Sequence, residues 1–209
     1  MNNLAYTSQD AEYVGSKVEE KVREETGATA AVQYQVEQGE AATVSIGSFI
    51  GDIARGLVGG KDEALFRLHF DLPHARPTQL QVNVNRQGVG WHVGLLLYTA
   101  QLSKAVAGEV ALEDPKFFGK SKFAGDGAAS SKLNSNGELI KRANNLARVE
   151  SQSGGLNIKI KRCCKVVPRE GGGSVLVLAT LPRPVKMGFG ATIDAKDFFD
   201  IADMVEAAL

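Results

Sequence analysis

Residues 117–142 read FFGKSKFAGDGAASSKLNSNGELIKR, and their first third contains the end of a phosphate-binding loop, Gly119-Lys120-Ser121. Such a loop needs a second glycine upstream, so that backbone amides can wrap a phosphate between the two. Asp114 stands at that upstream position, where its carboxylate would repel the ligand. No buried strand leads in and no helix begins at the lysine, so phosphate-loop chemistry is excluded. Gly125-Asp126-Gly127 lacks the regularly spaced oxygen ligands of a calcium loop. Gly88-Val89-Gly90 falls in an expected hairpin instead of a strand-to-helix turn, and a dinucleotide fingerprint fails on that context.

The three histidines, His69, His74 and His92, lie within one quarter of the chain. His69 and Asp71 share a strand face and His74 follows in the next loop, which is the one grouping with a metal-like composition. Arg67, His69 and Asp71 also have the composition of an acid–base set. No nucleophile or further ligand accompanies them, so an exposed polar sheet face is the expectation. Cys163 and Cys164 are adjacent. In a strand they point to opposite faces and cannot bridge. Arg162 and Lys165 beside them would lower a thiol pKa, but Cys164 alternates with Ile158 and Ile160 and reads as a small core residue. No catalytic residue, metal or cofactor is assigned.

The strongest physical pattern is basic. Asn157, Lys159, Lys161, Cys163 and Lys165 alternate with apolar residues and are expected on one face of a single strand. With Lys116, Lys120, Lys122 and Lys132 on the preceding loop, this stripe gives a candidate surface for an acidic protein or other anionic partner. Nucleic acid is not expected: Phe117, Phe118 and Phe123 are the only aromatics nearby, and no reading helix or stacking module is evident. The alternative to a partner site is a solvated edge, since lysine is a common protector of sheet edges.

The positions of these residues depend on the elements around them. A helix is expected over 7–27, with Thr7 and Asp10 at its start, Ala11, Val14, Val18 and Val22 on its buried side, and Gly27 at its end. Strands are expected at 32–36, 42–46 and 63–72, the last with Phe66, Leu68 and Phe70 inward. Residues 48–60 form a glycine-weakened helix or a lid. Leu80, Val82 and Val84, then Val89, Trp91, Val93, Leu95 and Leu97, alternate across a hairpin. Leu102, Val106 and Val110 suggest a weak helix. Between 114 and 134 there is no periodicity, and a connector of that length tends to be functional or mobile. Ser135-Asn136-Gly137-Glu138 is a capping box for a helix using Leu139, Ile140, Ala143, Leu146 and Ala147. A hairpin over 154–182 turns at "REGGG". A last helix starts at Asp194 and Asp197 and buries Phe198, Ile201, Ala202, Val205 and Leu209.

With 44% hydrophobic and 23% charged residues the chain has ordinary globular composition. The net charge is zero but segregated: residues 1–71 hold 6 Lys+Arg against 12 Asp+Glu, residues 116–186 hold 14 against 4, and residues 187–209 hold 1 against 5. Either these segments face one another in the fold, or the basic one meets a partner. The first residues lack a signal-peptide pattern, no apolar run could span a bilayer, and no disulfide framework exists, so a reducing, cytoplasmic setting is expected. The element order predicts an α+β fold: an antiparallel or mixed sheet of about seven strands flanked by helices at both chain ends. It forms one domain over 1–209, or two subdomains, 1–112 and 136–209, joined by a basic loop 113–135. Helices bracketing a sheet resemble secretion-chaperone-like α/β folds, a likeness of architecture that implies fold alone. The expected function is a non-enzymatic binding or adaptor module, chaperone-like, using the basic loop and sheet face. The alternative is a small-molecule or lipid carrier, with Phe49, Ile53, Phe66, Phe70 and Trp91 lining an apolar pocket between sheet and helices.

Overall fold

The computed structural model describes residues 8–38, 64–87, 90–114, 120–147, 149–152, 158–161, 163–181, 183–184 and 191–209. The expected strand at 42–46, the segment 48–60 and the residues Phe49, Ile53, Lys116, Phe117 and Phe118 lie outside them.

Helix α1, Ser8–Thr26, buries Ala11, Val14, Val18 and Val22 as one stripe. Gly27 has φ +72°, and its N–H donates to the Arg23 carbonyl at 2.8 Å, which ends the helix in the left-handed conformation glycine tolerates best. The outer face carries ion pairs within the helix, Lys17 with Glu20 and Lys21 with Glu24.

Strands β1 (Tyr34–Gln38), β2 (Ala64–Asp71), β3 (Thr78–Gln87) and β4 (Gly90–Leu102) form an antiparallel meander. Four more strands complete an eight-stranded sheet: β5 (Val110–Glu113), β6 (Lys122–Gly125), β9 (Cys163–Pro168) and β10 (Ser174–Thr180). Its order is β1-β2-β3-β4-β10-β9-β5-β6, and every neighbouring pair is antiparallel. Two small ribbons stand apart in pairing: β7 (Val149–Gln152) with β8 (Ile158–Lys161), and β11 (Arg183–Pro184) with β12 (Ala191–Thr192). The fold is α+β with helices at both ends, as the element order predicts, and the main sheet has eight strands.

The sheet alternates as strands must. Phe66, Leu68 and Phe70 on β2 and Leu80, Val82 and Val84 on β3 enter one core with the helices. On β4 the pattern changes phase. Pairing moves from Asn83↔Leu95 to Val84↔Val93, so Gly94 is the extra residue of a β-bulge. Val93 therefore packs on the main core, whereas Leu95 and Leu97 join Cys163, Val177 and Ala179 in a second apolar cluster. The expectation of one shared face for Val93, Leu95 and Leu97 is corrected by that bulge.

Three further expectations change. Leu102 ends β4 and Val110 begins β5, with Val106 buried in the turn between them. Spacings of four and eight are even numbers, so they preserve a strand face as well as a helical one. Residues 114–134 are no bare connector: they contain β6 and helix α2, Gly127–Asn134. The elements have 4 and 8 residues, too few to show a period. Helix α3, Gly137–Leu146, starts one residue later than the capping box places it, with Asn136 Oδ1 accepting the Leu139 N–H at 3.0 Å. Ser135 instead donates its hydroxyl back to the Lys132 carbonyl at 2.7 Å and serves the end of α2.

Helix α4, Ala195–Ala208, packs against α1, α2, α3, β4 and β10 and buries Phe198, Ile201, Ala202 and Val205. Asp194 sits before it with φ 56° and makes no side-chain cap. The cap comes from Glu25 near the end of α1, whose two oxygens accept the Ile193 N–H at 2.9 Å and the Ala195 N–H at 2.8 Å. Among the described residues, no helix is long and apolar enough to cross a membrane.

Phe198 stacks on Tyr98 of β4 with ring centroids 4.8 Å apart, both fully buried. Phe198→Ala is expected to cost about 3–5 kcal/mol in chemical denaturation, by the usual penalty for truncating a buried aromatic. Asn136→Ala, which removes one cap, is expected to cost about 1 kcal/mol. The reverse order would show that α4 does not hold the core.

Candidate partner-binding surface

The lysines expected to act together are dispersed by the fold. Lys122 lies on β6 at the end of the sheet and Lys120 two residues before it, both exposed. Neither makes an ion pair among the described residues. Lys132, on α2, donates to the Leu209 carbonyl oxygen at 2.6 Å, tying α2 to the end of the chain. Lys165, on β9, is half-buried and pairs with Glu109 at 2.8 Å.

Lys159 and Lys161 occupy alternate positions of β8, across from Ser151 and Val149 of β7. The stripe from Lys159 to Lys165 is therefore not one strand. β8 pairs with β7, whereas β9 pairs with β10 and β5 inside the main sheet. The alternation continues through both stretches, but strands that pair with different neighbours need not share a surface. For the same reason Cys164 belongs to a different strand pairing from Ile158 and Ile160.

The cysteines point to opposite faces, as adjacent strand residues do: Cys164 into the main core, Cys163 into the second cluster. Both are free thiols. Burial pushes the Cys163 thiol up to about 11, against a smaller lowering by the Ala179 backbone hydrogen bond and the Lys165 charge. Burial also raises Cys164, with Cys163 adding to it. Lys165 thus acts in the direction expected for a thiol activator and is outweighed by desolvation.

Arg67, His69 and Asp71 share the sheet face away from the helices. There His69 Nε2 lies 2.9 Å from Glu37 Oε2 on β1, and Asp71 accepts from Gln79 Nε2 at 2.9 Å. The His74 ring stacks on Phe199 of α4 at 4.5 Å, and its Nε2 lies 3.5 Å from Asp203. Asp71 and His74 line one cleft without His69, and among the described residues no group of three His, Cys, Asp or Glu could hold a metal ion. The side chain of His92 lies outside the described residues.

The partners of that β2–β3 loop leave no pattern in the sequence. Arg76 donates to the Ala202 carbonyl at 3.1 Å and pairs with Asp203 at 2.7 Å, so loop and α4 are clamped. A cleft of about 420 Å³ adjoins it, lined by Asp71, His74, Arg76, Gln79, Thr99 and Gln101 among others. Several of its polar groups have partners: Gln79 bonds Asp71 within it, while Asp203 and Arg169 outside it bond Arg76 and Gln101. No sequence signal joins residue 76 to residue 203.

Of the carrier residues, Phe66 and Phe70 are 2% and 0% exposed in the main core, and the Phe70 ring lies 5.1 Å from that of Tyr34. Tyr34 in turn packs on Gly15 of α1, where a Cβ would stand 2.4 Å from the ring. Space between sheet and helix is closed at that point. The side chain of Trp91 lies outside the described residues.

Asp126 is a second group whose role lies in long-range contacts. Its side chain accepts the Ala107 N–H at 2.7 Å and caps α2 through the Ala128 and Ala129 N–H groups. The Ala107 bond first, and then the Ala129 bond, hold its carboxyl below the usual aspartate range. No family model matches this chain, and neither a curated protein nor a solved structure does.

Two outcomes are expected. A thiol reagent at neutral pH should label neither cysteine until the protein unfolds, so labelling should track the unfolding transition; fast labelling of the native protein would contradict the burial. The folded pKa of Asp126 lies below its unfolded value, so its contribution to stability is complete above about pH 4, the ordinary aspartate range. It is lost as pH falls through the folded value. The gap in thermal midpoint between wild type and Asp126→Asn should therefore close in acid, and a gap constant from pH 7 downward would refute the assignment.

Proposed function

We propose that this protein is a non-enzymatic binding or adaptor module, chaperone-like in use, which takes an acidic protein partner on a basic surface. The observation that carries the reading is how the cations of the basic segment are spent. Lys132 is committed to the chain end, Lys141 to Glu138, Arg142 to Glu138 and Asp200, and Lys165 to Glu109. Lys120 and Lys122 are exposed and carry no such pair among the described residues. Glu113 stands across from Lys122 without an ion pair between them, and exposed lysines two positions apart attract an anionic surface. Lys159 and Lys161 of β8, which pairs with β7 apart from the main sheet, enter the proposal as the remaining described lysines of the basic segment.

Replacing Lys120, Lys122, Lys159 and Lys161 together by Glu is expected to abolish capture of partners in a pull-down while leaving the unfolding transition in place. Lys165 is left intact, because a glutamate there would face Glu109 and destabilise the sheet. Capture by the wild type should also weaken as salt rises, since exposed charges are screened. Unchanged capture by the charge-reversed variant would sink the reading.

A further inference from the structure

We propose that the edge of the sheet at β6 is a strand-addition site for an extended acidic peptide segment, and that Asn134 holds this edge closed until such a segment arrives. The inference rests on the binding reading above and names how the basic edge engages its partner.

β6 is the last strand in the sheet order and pairs with β5 through Glu113↔Lys122, Leu112↔Phe123, Ala111↔Ala124 and Val110↔Gly125. In an antiparallel ladder, each residue turns both of its backbone groups to the same side. Phe123 is 1% exposed, and its side chain anchors the strand in the main core. Its backbone groups are taken up by a side chain. The Phe123 N–H donates to Asn134 Oδ1 at 2.8 Å, and Asn134 Nδ2 donates to the Phe123 carbonyl at 2.8 Å. The carboxamide makes the two bonds that one residue of a further strand would make. Unpaired edge groups are a template for another chain, and here a side chain occupies the template.

That occupant is replaceable. Asn134 is the last residue of α2, in its C-terminal turn. The Ser135 N–H is shared between the Ser131 and Lys132 carbonyls at 3.2 Å each, and the Asn136 N–H reaches Leu133 at 3.2 Å. An incoming strand restores both Phe123 bonds in kind, so exchange leaves neither backbone group of Phe123 unpaired. Main-chain bonds of this type give affinity in strand addition, and side chains give the selection.

Charge selects the partner. Lys120 and Lys122 are two positions apart and exposed, so a strand with acidic residues at alternate positions sets opposite charges across from them. A second copy of the same edge would set lysine against lysine, which is unfavourable.

The test uses the full chain and two capped, labelled peptides of about eight residues, a common strand length. One alternates Glu with Val. The other carries proline at a central Val, keeping the charge but losing a strand donor. In fluorescence anisotropy the alternating peptide should bind wild type, bind Asn134→Ala about tenfold more tightly, as expected when two competing hydrogen bonds are removed, and lose affinity when proline is present. Lys120→Glu with Lys122→Glu should abolish binding. If Asn134→Ala unfolds, Asn134→Leu, similar in volume and without either bond, takes its place.

Equal binding of the two peptides would overturn strand addition and leave a purely electrostatic surface, with the binding reading intact. Unchanged affinity in the Asn134 variants would remove the role of that residue as a gate, and with it the proposal. Dimerisation of Asn134→Ala without peptide would replace the acidic segment by a second copy as the occupant. No binding of either peptide to any form would refute the site, while the pull-down above decides the binding reading separately.

Discussion

The docking of α4 on the sheet is the interaction on which the other elements depend. Its apolar side buries Phe198, Ile201, Ala202 and Val205, and burying a side chain the size of Phe or Ile contributes about 1.5–3 kcal/mol. Its polar side then meets every neighbouring segment in turn. Glu25 of α1 caps its start, Arg142 of α3 pairs with Asp200, Arg76 of the β2–β3 loop pairs with Asp203, and Ser103 after β4 bonds Glu206. Tyr98 in the centre of the sheet donates its hydroxyl to the Ile193 carbonyl just before the helix. The exposed pairs add little energy individually, because water screens them. Their effect is geometric: they set the rotation of α4 about its axis, so that the apolar side faces the sheet.

The same contacts explain part of the charge segregation. Asp200 and Asp203 are met by Arg142 and Arg76 from earlier segments, and in α1 Glu20, Glu24 and Glu19 pair with Lys17, Lys21 and Arg23. Burial works against the charge on Glu206, yet the Ser103 hydroxyl and amide outweigh it and keep that carboxyl below the ordinary glutamate range. Ordering within the fold thus accounts for Arg142, Lys132 and Lys165. It does not account for Lys120 and Lys122, which is why the binding reading centres on them and not on the whole basic segment.

What was legible in the sequence follows the range of each signal. Phe66-Leu68-Phe70 and Leu80-Val82-Val84 alternate because each strand has one buried face, and that pattern survives without knowing the partner strand. Gly27 marks a helix end through its own chemistry, and the capping box places the start of α3 to within one residue, at Ser135 where Asn136 caps it. The division of β8 from β9 was not legible, because alternation is a property of one chain and pairing a property of two. Nor was the bulge at Gly94, which moves Leu95 and Leu97 to the second cluster with no break in apolar character. Glu25, Arg76 and Asn134 carry no local mark at all. Each is an ordinary polar residue whose partner is fixed only when the sheet and α4 have formed.

The two faces of the sheet have different demands, and this shapes where specificity can reside. The helix side is apolar from β2 across to β6. The other side changes character along one cross-strand row: His69, Gln81, Leu97, Ala179 and Cys163 pass from polar to apolar. Leu97, Ala179 and Cys163 in that row are buried and His69 is half-exposed. Strands β1 and β2 therefore bond through paired side chains such as Glu37 with His69, while β4, β10 and β9 hold together by packing on both faces. A strand buried on both faces cannot tolerate an exposed charge, so the lysines of the basic segment are displaced to positions where one side remains in water. In the main sheet that leaves β6, the short strand at its end, and Lys165, where Glu109 lies close enough to neutralise it.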